Sequence, residues 1–216
     1  MAQIAEDLFL LLLDNSSGLP SLERRRSRRI LGAAVLLDLA LACRIRPVVD
    51  GEPVAPGHLV ALAGTAPLDP VTGPAFDVLV RRPLRPAAAL TTVAKHTEGL
   101  LVAQLERAGQ LHRVSQGKTT LLPLLRRDRV DPARAALLAA LFDRQPPPAP
   151  TAAIISLLHA ADGLGALLSL NDRGWRWVHA RAGEIALGSW LDEQPTGLAE
   201  VNLAVTASAL RPALAG

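Results

Sequence analysis

Apolar residues fall along this chain in blocks of helical length, separated by clusters of turn-forming residues, and only short stretches have strand-like character. Residues 3 to 13 read as a short amphipathic helix. Asp14-Asn-Ser-Ser-Gly18 closes it, with Gly18 suited to a left-handed cap. From Ile30 to Cys43 the chain holds one glycine, one acid (Asp38) and otherwise only apolar side chains. A helix with no polar face must be buried on nearly all sides, so this block is expected to be the central helix of the fold. Pro20 and Ser21 open the segment, with Ser21 its expected cap and Glu23 the acid of its first turn. Cys43 is expected to lie within the helix.

Beyond Arg46-Pro47 the periodicity breaks up in a Pro- and Gly-rich stretch to residue 74. It reads as loops with a short strand pair around residues 44–49 and 58–61. Another apolar segment begins at Phe76, Arg81-Arg-Pro-Leu-Arg-Pro86 punctuates it, and residues 91 to 108 form the next predicted helix, stopped by Gly109. Leu111 to Leu124 predicts a β-hairpin turning at Gln116-Gly117-Lys118. Its arms carry more apolar surface than an isolated ribbon buries, so its own helices, a second copy or a bilayer is expected to cover it. A helix from Asp131, the expected cap, to about Phe142 follows, then the stiff connector Pro146–Pro150. Residues 151–158 and 163–170 are expected to form a helix pair, and residues 183–209 one or two further helices.

Composition bounds this picture. With 216 residues, half of them apolar, the chain can build a large aliphatic core as one large domain or two small ones. The net charge is only +3, but all the basic residues except Lys95 and Lys118 are arginine, and they cluster. Arg24, Arg25, Arg26, Arg28 and Arg29 crowd the start of the central helix, where the macrodipole already places partial positive charge. Five arginines there oppose the dipole. Either a solvated basic turn or a site occupied by an anion, a phosphate or a lipid headgroup, accounts for them. The sole cysteine allows no intramolecular disulfide, which favours a cytoplasmic setting. Glu6 and Asp7 precede the short run Leu8–Leu13, unlike a signal peptide, and no run approaches the roughly 20 apolar residues needed to span a bilayer. Any membrane contact is expected to be peripheral.

Catalytic signatures are weak. Gly117-Lys118-Thr119 lacks the earlier glycine of a phosphate-binding loop, His112 standing in its place. The five histidines are scattered and no second cysteine is present to build a metal site. His159 and Asp162, one helical turn apart, could form a hydrogen-bonded pair, although a structural contact at a helix end is the commoner meaning. Trp175 and Trp177 flank Arg176 with strand-like alternation, suited to a base, a lipid interface or a satellite core contact.

Four stretches in order, Glu6-Asp-Leu-Phe-Leu-Leu-Leu-Leu-Asp14, Ile30 to Arg46 with Leu37-Asp-Leu-Ala40, Leu105-Glu-Arg-Ala-Gly-Gln-Leu111 and Leu158-His-Ala-Ala-Asp-Gly-Leu164, resemble the Golgi phosphoprotein 3 family along nearly the whole chain. These are helical lipid-binding proteins of eukaryotic Golgi membranes with relatives in bacteria, and this chain looks like a bacterial-type member. The resemblance implies a mainly α fold: a single helical domain over residues 1–216 around a buried central helix, with a small β-hairpin that in the family serves membrane contact and self-association. It implies no catalysis and no cofactor. Family members recognise phosphatidylinositol 4-phosphate through a tryptophan and an arginine near the start of the central helix and two arginines on a later one. Those positions here hold Glu23, Gly32, Lys95 and Glu98. Arg24, Arg25, Arg28 and Arg29, with Lys95, are therefore the expected lipid-binding set, since guanidinium forks suit phosphate oxygens. Val114, Gln116, Gly117, Lys118 and Leu121 are the expected hairpin set. The partners expected are an anionic phospholipid such as phosphatidylinositol 4-phosphate, a membrane surface, a second copy of the chain and an unidentified protein. An adaptor acting through the hairpin is the rival reading. A nucleic-acid binder is a further one, disfavoured because no helix carries polar base-reading side chains.

Overall fold

The most apolar block folds as its pattern predicts. In a computed structural model, which describes residues 3–14, 17–117, 119–193 and 197–215 (the side chains of residues 192 and 193 apart), helix α2 (Arg24–Leu41) is buried at every position from Ile30 through Ala40. Around it pack α1 (Gln3–Leu12), α3 (Thr72–Arg81), α4 (Pro86–Arg107), α6 (Ala149–Ala160) and α9 (Leu198–Leu214). Helices α5 (Val130–Phe142), α7 (Asp172–Ala186) and the short α8 (Trp190–Glu193) complete the mainly helical architecture. Two small antiparallel hairpins accompany the helices: β1 (Ile45–Pro47) with β2 (Leu59–Ala61), and β3 (Val114–Gln116) with β4 (Thr119–Leu121). The buried side chains form one continuous aliphatic cluster that runs from Ile4 to Leu214.

Two features of α2 set its neighbours. A Cβ at Gly32 would lie 2.9 Å from the Ala94 Cβ and 3.0 Å from its Cα, so the missing side chain is what lets α2 and α4 approach so closely. The carboxyl group of Asp38 is buried and its oxygens accept the backbone N–H groups of Ile4 (2.8 Å) and Ala5 (3.0 Å). The central helix thereby supplies the N-terminal cap of α1 from within the core. Burial pushes the Asp38 pKa up to about 8, against the two amide donors that hold it down. At the other end of α2, the Asn202 side-chain amide donates to the carbonyls of Ala40 (2.7 Å) and Ile45 (2.8 Å), tying α9 to the helix exit.

Several local expectations are corrected. Helix α2 starts at Arg24 and is capped by Glu23, not Ser21: the longer carboxylate reaches forward to the Arg25 and Arg26 amides (2.9 and 3.2 Å). Cys43 lies beyond the helix, in left-handed backbone (φ 51°). Helix α4 begins at Pro86, because proline in a first turn costs no helical hydrogen bond. Asp131 lies within the first turn of α5 rather than capping it. Residues 163–170 hold only a 3₁₀ turn, Leu164–Ala166, and not the second helix of a pair. Trp175 and Trp177 lie on α7, which opens at the Asn171 cap (2.9 Å to the Gly174 amide), so their alternation is not that of a strand. Two residues apart on a helix, they face different ways: Trp175 packs over His179, while Trp177 points outward and stacks on Phe142 at 5.9 Å.

The hairpin at residues 111–124 forms in the predicted place, with Gln116 paired to Thr119 and Gly117 in left-handed backbone (φ 62°) at its tip. Its apolar base is covered by the protein's own body. Leu111 and Leu122 join the core, and the Leu122 amide donates to the carbonyl of Gly18 (2.8 Å). Gly18, also left-handed (φ 65°), presses so closely on Pro123 that a Cβ would come within 2.9 Å of its nitrogen.

Candidate anion-binding site

The cations predicted from the sequence converge on one cavity. Arg24, Arg25, Arg28 and Arg29 occupy the first turns of α2. Lys95 comes from the facing side of α4, one residue beyond the Gly32–Ala94 contact. Together they line a cavity of about 590 Å³ with Ala87, Leu90, Thr91 and Ala94 of α4 and Ala213 of α9. Close helix packing at Gly32 places the two cationic segments opposite each other, so a residue with no side chain shapes the site from behind. Gly32 itself does not line the cavity.

The guanidinium groups are not equally free. Arg28 donates to Glu98 at 3.3 Å and Arg29 donates to the Ala213 carbonyl. Arg26 turns away from the cavity and reaches the end of α6, donating to the Asp162 carbonyl at 3.3 Å with its carboxylate at 3.9 Å. The side chains of Arg24, Arg25 and Lys95 are exposed and make no hydrogen bond or ion pair among the described residues. Glu23 lies at the cavity rim, but its carboxylate faces the helix. The Arg25 amide, then the Arg26 amide, holds its pKa below the ordinary carboxylate value. Two N-terminal amides of α2, those of Arg25 and Arg26, are thus already satisfied by the chain's own anion, and a bound ligand would be met chiefly by side chains.

A second groove of about 790 Å³ lies on the other side of a ridge formed by Arg24, Arg28 and Lys95, and runs past Glu98 to Arg113 and to Thr119 and Thr120 of the hairpin. The hairpin set is dispersed around this end. Val114 is 38% exposed, Gln116 and Gly117 face solvent, and Leu121 is half-buried at the foot of β4. Lys118 lies outside the described residues.

Other chemical candidates come apart. Gly117 and Thr119 belong to a hairpin tip, not to the strand–helix turn that cradles a nucleotide. His159 does not use its ring on Asp162: its Nδ1 is buried with no hydrogen-bond partner among the described residues, and its ring lies beside that of His179 at 5.8 Å. Burial, then the neighbouring His179 and Arg211, lowers its pKa. Among the described residues no three His, Cys, Asp or Glu side chains gather as a metal site would require. Nothing in the local sequence pointed to Ala213 or to the Arg28–Glu98 pair, because both join segments distant in the chain.

The family model described as Golgi phosphoprotein 3 (GPP34) matches residues 4–201, nearly the whole chain, the cationic start of α2, α4 and the hairpin included. The chain belongs to the Golgi phosphoprotein 3 family. No curated protein sequence matches it. Relative to the lipid-contacting positions that the resemblance implies for the family, Lys95 keeps a cation on the cavity wall, Glu23 is spent on capping α2, Gly32 is spent on helix packing, and Glu98 pairs with Arg28.

Proposed function

We propose that this chain is a non-enzymatic peripheral membrane protein of the cytoplasm that binds anionic phospholipid headgroups through Arg24, Arg25, Arg28, Arg29 and Lys95. The observation that carries this reading is that five cations from two helices line one cavity while the side chains of three of them make no hydrogen bond or ion pair among the described residues. Holding like charges together costs energy, and an anion in the cavity removes that cost. A cation close to an anionic surface contributes about 1 kcal/mol, so with Arg28 shared with Glu98 the set supplies roughly 3–5 kcal/mol, enough for reversible attachment. No helix among the described residues is long and apolar enough to cross a bilayer, which fits attachment from the side. Glu23 and Gly32 stand where the family is expected to contact phosphatidylinositol 4-phosphate, so attachment is read as governed by charge more than by that headgroup.

A second role rests on the hairpin. Its tip is exposed with Val114 outward while its base is anchored in the core, a geometry that offers a firm edge to a second copy, a partner protein or a membrane. We assign it self-association, with membrane contact at the tip. Anionic vesicles and duplex DNA, compared at equal phosphate concentration and one salt concentration, test the main reading. Pelleting with the vesicles and weak, sequence-independent DNA binding is the expected result, and tight binding to DNA with none to vesicles contradicts it.

A further inference from the structure

Helix α7 presents an outer face that the described residues leave uncovered. Its inner positions Val178, Ala182 and Ile185 join the core. Arg173, Arg176, Trp177 and Ala180, at the three- and four-residue spacing of a single helix face, are exposed. Trp177 is 39% and Phe142 37% exposed, and their stacked rings hold each other at the surface. With Asn171 these side chains line an open groove of about 670 Å³. The Arg173 and Arg176 side chains make no hydrogen bond or ion pair among the described residues. The acids nearest along the chain, Asp143, Asp172 and Glu184, do not line the groove, and Glu184 is paired with Arg144 and Arg181.

This face stands at the end of the molecule that carries the α2 arginines. Arg26, in the first turn of α2, donates to the carbonyl of Asp162, just past the end of α6. Helices α6 and α7 run antiparallel: Ala152 and Ala153 border the same small cavity as Ile185 and Leu187, while the His159 ring lies beside that of His179. The turns of α7 before His179 therefore reach beyond the last turn of α6, toward the start of α2. A planar surface laid against that end can meet both. Tryptophan joins an apolar body to a polar ring edge and settles at the headgroup level of a bilayer, and arginine lays its aliphatic stem on apolar surface while its charge stays among phosphates. A stacked pair of rings beside two guanidinium groups, with no acid in the lining, matches an anionic membrane interface in both respects. Building on the lipid-binding reading above, we propose that the outer face of α7 is a second membrane contact, with Trp177 and Phe142 at the boundary of headgroups and acyl chains and Arg173 and Arg176 on lipid phosphates.

The test uses the full chain and vesicles of phosphatidylglycerol and phosphatidylcholine, with and without bromine on the phosphatidylcholine acyl chains. Bromine quenches an indole that reaches the acyl boundary. The wild type should lose fluorescence on the brominated vesicles relative to the plain ones, and Trp177→Phe, which keeps an aromatic ring beside Phe142, should lose none. Equal quenching in the two proteins assigns the signal to Trp175 or Trp190 and overturns the proposal. Pelleting of the wild type without quenching overturns it too and leaves the lipid-binding reading standing, whereas no pelleting overturns both. Arg173 and Arg176 are exposed, so Arg173→Ser together with Arg176→Ser should fold normally. That variant should bind the anionic vesicles roughly tenfold to thirtyfold more weakly, the effect of two cations lost from a membrane contact. Undiminished binding in the folded variant contradicts the part assigned to the arginines. Aromatic rings beside arginines also stack single-stranded bases, so oligothymidylate is the rival probe. Quenching of Trp177 by oligothymidylate and not by brominated vesicles refutes the membrane contact.

Discussion

Replacing Asp38 by Asn tests whether the central helix holds α1 through a buried carboxyl group. Both oxygens of Asp38 accept amides at the start of α1, and an asparagine keeps one acceptor while turning an NH₂ toward the other amide. Leaving a buried amide unsatisfied costs about 1–3 kcal/mol, so the variant should lose stability on that scale at mildly acid pH. The pH dependence then distinguishes the carboxyl from any other acceptor. The folded-state pKa, about 8, stands above the ordinary 3.8, so the native chain keeps a proton that the unfolded chain has released. The stability Asp38 contributes is therefore present in full below about pH 4 and is lost as pH rises through about 8. Between about pH 5.5 and 8.5 the wild type should lose about 3 kcal/mol relative to Asp38→Asn, since each pH unit in that window is worth about 1.4 kcal/mol. Urea midpoints of both proteins across this window measure it, and taking their difference cancels Asp7 and His159, which titrate in both. A difference that stays constant with pH would refute the reasoning, and would mean that Asp38 remains ionised in the core.

Gly32→Ala should destabilise despite the helix propensity gained: the close approach to Ala94 is to backbone as well as side chain, so overpacking of roughly 1–3 kcal/mol outweighs a gain of about 1. A thermal midpoint at or above that of the wild type would show that α2 and α4 separate freely. Replacing residues 114–121 by a short Gly-Ser turn, which spares buried Leu111 and Leu122, should leave a folded helical protein that elutes as a monomer and pellets less with anionic vesicles. Unchanged elution and unchanged pelleting would reduce the hairpin to a structural ornament of its own domain.

The parts of this fold that were legible in the sequence are those with a local physical signature. An apolar run with no polar face can only be a buried helix, and residues 30–40 are one. Gly109 stops its helix in left-handed backbone, as turn chemistry requires, whereas Gly18 is left-handed but lies in the turn beyond α1, which ends at Leu12. The Arg24–Arg29 cluster was visible as charge that opposes a helix dipole. What was not legible depends on distant segments. The Asp38 cap joins residues 34 positions apart, the Arg28–Glu98 pair 70, and the Arg29–Ala213 contact 184. Ser21 was the expected cap and Glu23 only the acid of the first turn, and the chain path, which starts α2 at Arg24, gives the cap to Glu23. The alternation of Trp175 and Trp177 misled because a two-residue spacing is also compatible with one side chain packed inward and one outward on a helix.

The central claim is that the arginines of α2 bind anionic lipid as a unit. Replacing Arg24, Arg25, Arg28 and Arg29 together by Ser, and measuring sedimentation with anionic vesicles beside the thermal unfolding midpoint, tests it most directly. Relief of like-charge repulsion and of the dipole conflict should leave the midpoint unchanged or raised, while vesicle binding is lost. Binding that survives in the folded variant would contradict the account and make the cluster a solvated turn.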